Sequence, residues 1–128
     1  MVTPALTDEM IQSGRALIED LDGSGLHVDV AMWMLFPDIS AWKLMISSPV
    51  LIADGPKAAY DVVQKSLARI SPRQLKLDDI VIAKAEAPLL RLMRVAVRTK
   101  DRTLASIRFT NNVINGQLIP DALIYRLS

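Results

Sequence analysis

The stretch VDVAMWMLFPDISAWKLMISS, residues 28–48, constrains this chain more than any other. It holds both tryptophans, Trp33 and Trp42, on either side of a Pro37-Asp38 turn signal. Its unbroken apolar run is the seven residues 30–36, whereas a membrane helix needs about 20, so a span is excluded. Two short runs rich in Trp, Val, Ile and Phe, bounded by turn residues, read instead as a β-hairpin over residues 26–36 and 41–48.

Parity then decides which side chains share a face. A two-residue loop at positions 37–38 and a four-residue loop at 37–40 both pair odd residues with even ones. In either register Trp33 and Trp42 lie on one face, directly opposite in the first and diagonal in the second. Ala31, Leu35, Leu44 and Ile46 join them, while Val28, Val30, Met32, Met34, Phe36 and Met45 line the other face. A sheet apolar on both sides must be covered on both sides. The cover is either the chain's own helices or a partner, and in the second case Trp33 and Trp42 are the natural anchors, because large aromatics dominate binding hot spots.

Helical spacing of Met10, Ile11, Gly14, Leu17, Ile18 and Leu21 predicts a first helix, with Asp8 and Glu9 favoured by the dipole in its opening turn. Asp22-Gly23-Ser24-Gly25 ends it. Gly55-Pro56 opens another helix, whose stripe of Ala59, Val62, Val63, Ser66, Leu67 and Ile70 stops at Ser71-Pro72. Residues 79–83 read as a short buried strand, and 88–98 as a helix by spacing, although RVAVRT equally suits a strand. Further on, 104–110 is strand-like, Asn115-Gly116 signals a type I′ turn, and 122–127 reads as a last strand. The expectation is one α+β domain over residues 1–128. It has a mostly antiparallel sheet and about three helices, in the order α-β-β-α-β-α-β-β, with a further β possible at the end.

Several chemistries find no support. With no cysteine, thiolate metal sites, disulfides and a Cys nucleophile are excluded, and a reducing cytoplasm suits the chain. The opening MVTPALTDEMIQ lacks a basic segment leading into an apolar one, so no secretory signal is expected. Asp20, Asp22, Ser24 and Gly25 resemble the first half of an EF-hand calcium loop, but its twelfth position is Ala31 where a bidentate Glu is required. A plain turn between helix and strand accounts for them. His27 is the single histidine, and Asp29 two residues on would share its strand face. No second His completes a metal site and no Gly-x-Ser-x-Gly elbow occurs. Ile82-Ala83-Lys84 fails as a magnesium-nuclease acid-x-Lys motif because isoleucine stands where the acid must be. Asp78 and Asp79 are adjacent and read as solvated turn residues. No phosphate-loop glycine pattern is present.

Charge is divided unevenly. Residues 1–64 carry 3 basic and 9 acidic side chains, while residues 65–108 carry 11 basic and 4 acidic. Arg91, Arg94 and Arg98 recur at i, i+3 and i+7, which on a helix makes one cationic edge, and Lys100 and Arg102 follow. Two readings lead, and an enzyme working through dispersed Asp, Glu and Ser residues stays open as a third class. In the first, a small cytoplasmic accessory domain works through protein contact, including self-association as a homodimer, with Trp33 and Trp42 as partner-binding candidates. In the second, Arg91, Arg94, Arg98, Lys100 and Arg102 bind nucleic-acid phosphates along a basic helix over residues 91–102. Neither reading calls for catalytic residues, a metal or another cofactor, and the balance points away from an enzyme and away from a membrane.

Overall fold

The computed structural model describes residues 4–99 and 104–128. Helix α1 spans Asp8–Gly23, with the Thr7 side chain accepting from Met10 N at 3.2 Å as its N-cap. Strands β1, Val30–Phe36, and β2, Ala41–Ser47, form the expected hairpin around a four-residue loop. Trp33 faces Leu44 and Leu35 faces Trp42, which fixes the diagonal arrangement of the two tryptophans.

A four-residue helix not expected from the sequence, α2 (Pro49–Ile52), follows at once. Pro49 stands in its first turn, and Ser48 caps it by accepting from Leu51 N at 3.3 Å. Helix α3, Pro56–Ile70, begins at its proline and ends at Ser71, which takes a left-handed conformation with φ 45°. A single 3₁₀ turn, Leu77–Asp79, leads into β3, Ile80–Ile82. Helix α4 occupies Pro88–Ala96, and Val97 is already extended, so the ambiguous segment is helix first and extended chain afterwards. Strands β4 (Ile107–Phe109), β5 (Asn112–Ile114), β6 (Gln117–Ile119) and β7 (Ala122–Leu127) complete the chain. The fold is α+β with the helices and strands in the order α-β-β-α-α-β-α-β-β-β-β.

The main sheet runs β3-β2-β1-β7-β4, antiparallel except where β3 lies parallel to β2. β5 and β6 form a separate hairpin turned by Asn115 and Gly116, whose φ angles of 51° and 79° are those the type I′ signal demands.

Both faces of the sheet are buried. On one side Trp33, Trp42, Leu44, Ile46, Leu123 and Tyr125 pack with Leu17, Ile18 and Leu21 of α1 and with Ala59 and Val63 of α3. On the other, Val30, Met32, Met34, Met45, Ile124 and Leu127 pack with Leu90 and Met93 of α4 and with Ile119 of β6. The faces divide as parity requires, with one correction. Val28 belongs to the tryptophan cluster, because β1 begins only at Val30 and strand alternation does not reach back to it.

The β1–β7 register slips between Ala31 and Met32: Ala31 faces Arg126, Met32 faces Ile124, and Tyr125 is the extra residue. A β-bulge of this kind lets two consecutive side chains work on one side of a sheet. Here both reach α1, Tyr125 at Ile11 and Arg126 at Asp22.

Candidate functional site

Polar groups gather where α1 turns into β1. Gly25, with φ 85°, reverses the chain there, and a cleft of about 290 Å³ opens beside Asp22, Gly25, Leu26 and His27. His27 Nε2 lies 3.0 Å from Asp29 Oδ1, so the two side chains meet as their two-residue spacing suggests. Arg126, only 2% exposed, donates from its NH1 nitrogen to Asp22 at 3.0 Å and to the Val28 carbonyl at 3.0 Å.

This arrangement holds a turn in place. Among the described residues no group of three or more metal-ligating side chains comes together. The oxygens of the calcium-loop-like stretch diverge. Asp22 serves Arg126, whereas Asp20 accepts from Ser66 Oγ and, at 2.7 Å, from Arg69. Arg69 and then Ser66, by their hydrogen bonds, hold the Asp20 carboxyl below its ordinary pKa. Asp20 and Arg69 also join the acidic half of the sequence to the basic half within one chain.

The two tryptophans share one cluster, as parity requires, and the chain's own elements cover them. Trp33 is 0% exposed and donates from Nε1 to the Tyr125 hydroxyl at 3.0 Å. Trp42 is 6% exposed, donates to the Pro4 carbonyl at 2.8 Å, and carries the Arg108 guanidinium 4.9 Å above its ring.

The cationic edge is shorter than its spacing implied. Arg91 is exposed on α4, but α4 ends at Ala96, so Arg98 lies beyond the helix and the expected basic helix over 91–102 is not continuous. Arg94 is partly buried and committed inside the protein, donating to the Ser128 carbonyl at 2.9 Å and the Ala85 carbonyl at 2.7 Å. Its burial, and then the nearby Arg98, lower its pKa from the usual arginine value. Lys100 and Arg102 fall outside the described residues.

A surface not singled out from the sequence lies on the β5–β6 hairpin. Val113 pairs directly with Leu118, and the two are 62% and 73% exposed. Ile119, one residue further along, is fully buried in the second cluster, with Ile114 packed against it. The signal was present: a two-residue Asn-Gly turn fixes the pairing, and Val113-Ile114 with Leu118-Ile119 leaves both faces apolar, just as in the first hairpin. Here the outer face is left exposed at Val113 and Leu118.

No family model matches this sequence, and no curated protein and no solved structure was found to be similar to it.

Proposed function

We propose that this chain is a cytoplasmic accessory domain without enzymatic activity, that it works through protein contact, and that the outward face of the β5–β6 hairpin is its contact surface. The partner proposed is a second copy of the chain. The observation that carries the reading is the directly paired, exposed Val113 and Leu118 on a two-stranded sheet that no third strand joins among the described residues. Such a hairpin has little stability of its own. Its inner face is held by the core, and its outer face offers apolar area that a contact would remove from water. Helix α4, against which β5 packs, carries an exposed valine of its own, Val95.

Two side chains bury much less than the roughly 800 Å² per partner of a standard interface, so the association expected is weak and concentration-dependent. Sedimentation velocity across a concentration series tests it. Wild-type protein should move from monomer toward dimer, and a Val113→Thr, Leu118→Ser double variant should remain monomeric with an unchanged melting temperature. A wild-type chain that stays monomeric at every concentration overturns self-pairing. The same samples test the phosphate-binding alternative: DNA binding that weakens steeply with salt would favour it instead.

A further inference from the structure

Beside β3, away from the hairpin, Ile52 of α2, Pro56, Ala59 and Tyr60 of α3, and Ile82 and Lys84 enclose a hollow of about 160 Å³. Its walls are mainly aliphatic, and Ala59 is fully buried. Two polar groups line it. The Tyr60 hydroxyl accepts from Ile82 N at 3.3 Å, which closes the outer edge of β3, and no described residue accepts its proton. Lys84 is exposed, and its ammonium has no ion pair or hydrogen bond among the described residues.

From these features we infer that the hollow is a binding site for a small apolar monocarboxylate of about the size of benzoate. An apolar cavity of roughly 150 Å³ accepts a benzene ring, which sets the size of the ligand body. An apolar body seated there gains dispersion contacts with these walls and takes their apolar surface out of water. The carboxylate takes a charge-assisted hydrogen bond from Lys84 Nζ and a second from the Tyr60 O–H, whose lone pair is already used by Ile82. One ammonium and one hydroxyl suit a single negative charge better than a phosphate dianion. The setting has the right sign as well: Pro56 opens the 15-residue helix α3, and its N-cap, Gly55, brings no side chain to the first amides.

The test is a titration of the full chain with benzoate, followed by amide chemical shifts in ¹H–¹⁵N spectra. Saturable shifts centred on Ile52, Ala59, Ile82 and Lys84 are expected, with a Kd on the order of 1 mM. Benzyl alcohol, which keeps the ring and lacks the charge, should bind about tenfold more weakly, a difference of about 1.4 kcal/mol. Lys84→Met keeps the aliphatic stem and removes the charge at an exposed position. It should leave the unliganded spectrum intact away from its own position and weaken benzoate binding about tenfold. Failure to saturate at about 50 mM benzoate would overturn the site. Equal affinity for benzyl alcohol, or equal benzoate affinity in Lys84→Met, would overturn its assignment to a carboxylate.

Discussion

The Trp33 indole and the Tyr125 phenol meet beneath helix α1: Nε1 of Trp33 donates to the Tyr125 hydroxyl at 3.0 Å, and that hydroxyl donates in turn to the Ile11 carbonyl. A buried N–H that loses its acceptor costs more than the hydrogen bond was worth, because water cannot replace the partner. Tyr125→Phe should therefore destabilise the fold by about 1–3 kcal/mol. Trp33→Phe, which removes the donor, should make the second change less costly, with a coupling of about 0.5–1 kcal/mol. Urea midpoints of the two single variants and the double variant measure it, and strict additivity would mean that the Trp33–Tyr125 bond contributes nothing measurable, leaving the hydroxyl's bond to the Ile11 carbonyl as its polar role.

The same phenol gives a pH dependence. Burial pushes the Tyr125 pKa well above the ordinary value of 10.0. A pKa raised on folding means that the folded state holds the proton longer than the unfolded chain. The contribution is then complete below about pH 10 and is lost as the pH rises beyond it. Wild-type stability should decline above pH 10, and the decline should be shallower in Tyr125→Phe. Equal slopes in the two proteins would assign the alkaline loss to other groups.

Gly14 is the residue that lets α1 sit so close. A Cβ built there would lie 2.6 Å from Tyr125 Oη and 2.7 Å from Trp33 Nε1, whereas one on Gly23, in the same helix, meets nothing within 4 Å. Helix propensity favours alanine over glycine by about 1 kcal/mol at an interior position. At Gly14 the steric conflict outweighs that gain, and Gly14→Ala should lose about 1–3 kcal/mol net. Gly23→Ala should be neutral or stabilising by up to about 1 kcal/mol. Thermal melts of the two variants should therefore shift in different directions or by clearly different amounts.

How much of this was legible in the sequence varies from element to element. The partition of Trp33, Trp42, Leu44 and Met45 between faces follows from parity alone, since any even loop places odd residues opposite even ones. Asn115-Gly116 announced its turn because few residue pairs accept two positive φ angles. The bulge at Tyr125 was not legible: ALIYRL is apolar enough to allow either register, and the contacts that accompany the bulge, Tyr125 with Ile11 and Arg126 with Asp22, lie far away in the sequence. Helix α2 was hidden because four residues are too short to show a period. The basic edge was overextended because spacing cannot report that Val97 turns extended. Arg94 looked equivalent to Arg91 because the carbonyls it serves, at Ala85 and Ser128, belong to backbone that no side-chain pattern reveals.

The joint between α1 and α3 depends on acid. Arg69, and then Ser66, hold the Asp20 carboxyl below its ordinary pKa, so the folded state releases this proton more readily than the unfolded chain does. Its contribution is present above the unfolded pKa of about 3.9 and is lost as the pH falls below that. Arg69 is half exposed, so solvent screening keeps the effect modest. Asp20→Asn should lower stability at neutral pH and flatten this part of the acid transition, and the acid unfolding curves of the two proteins test it. A variant curve that parallels that of the wild type would show that the pair contributes nothing measurable.

Arg91 and Arg94 lie one turn apart on α4 and should behave as different kinds of residue. Arg94 ties the helix to two backbone carbonyls, at Ala85 and Ser128, from a partly buried position. Removing a charged donor from such a place typically costs about 1.5–3 kcal/mol, so Arg94→Met should destabilise by that order. Arg91 is exposed, and Arg91→Met should stay within about 0.5 kcal/mol of wild type. Equilibrium unfolding of both variants separates the two roles. Equal, small effects would show that these two bonds contribute little to stability, while Arg98 would still lie beyond the helix, which ends at Ala96. A large loss confined to Arg94→Met would leave Arg91 and Arg98 as the exposed arginines of that set among the described residues.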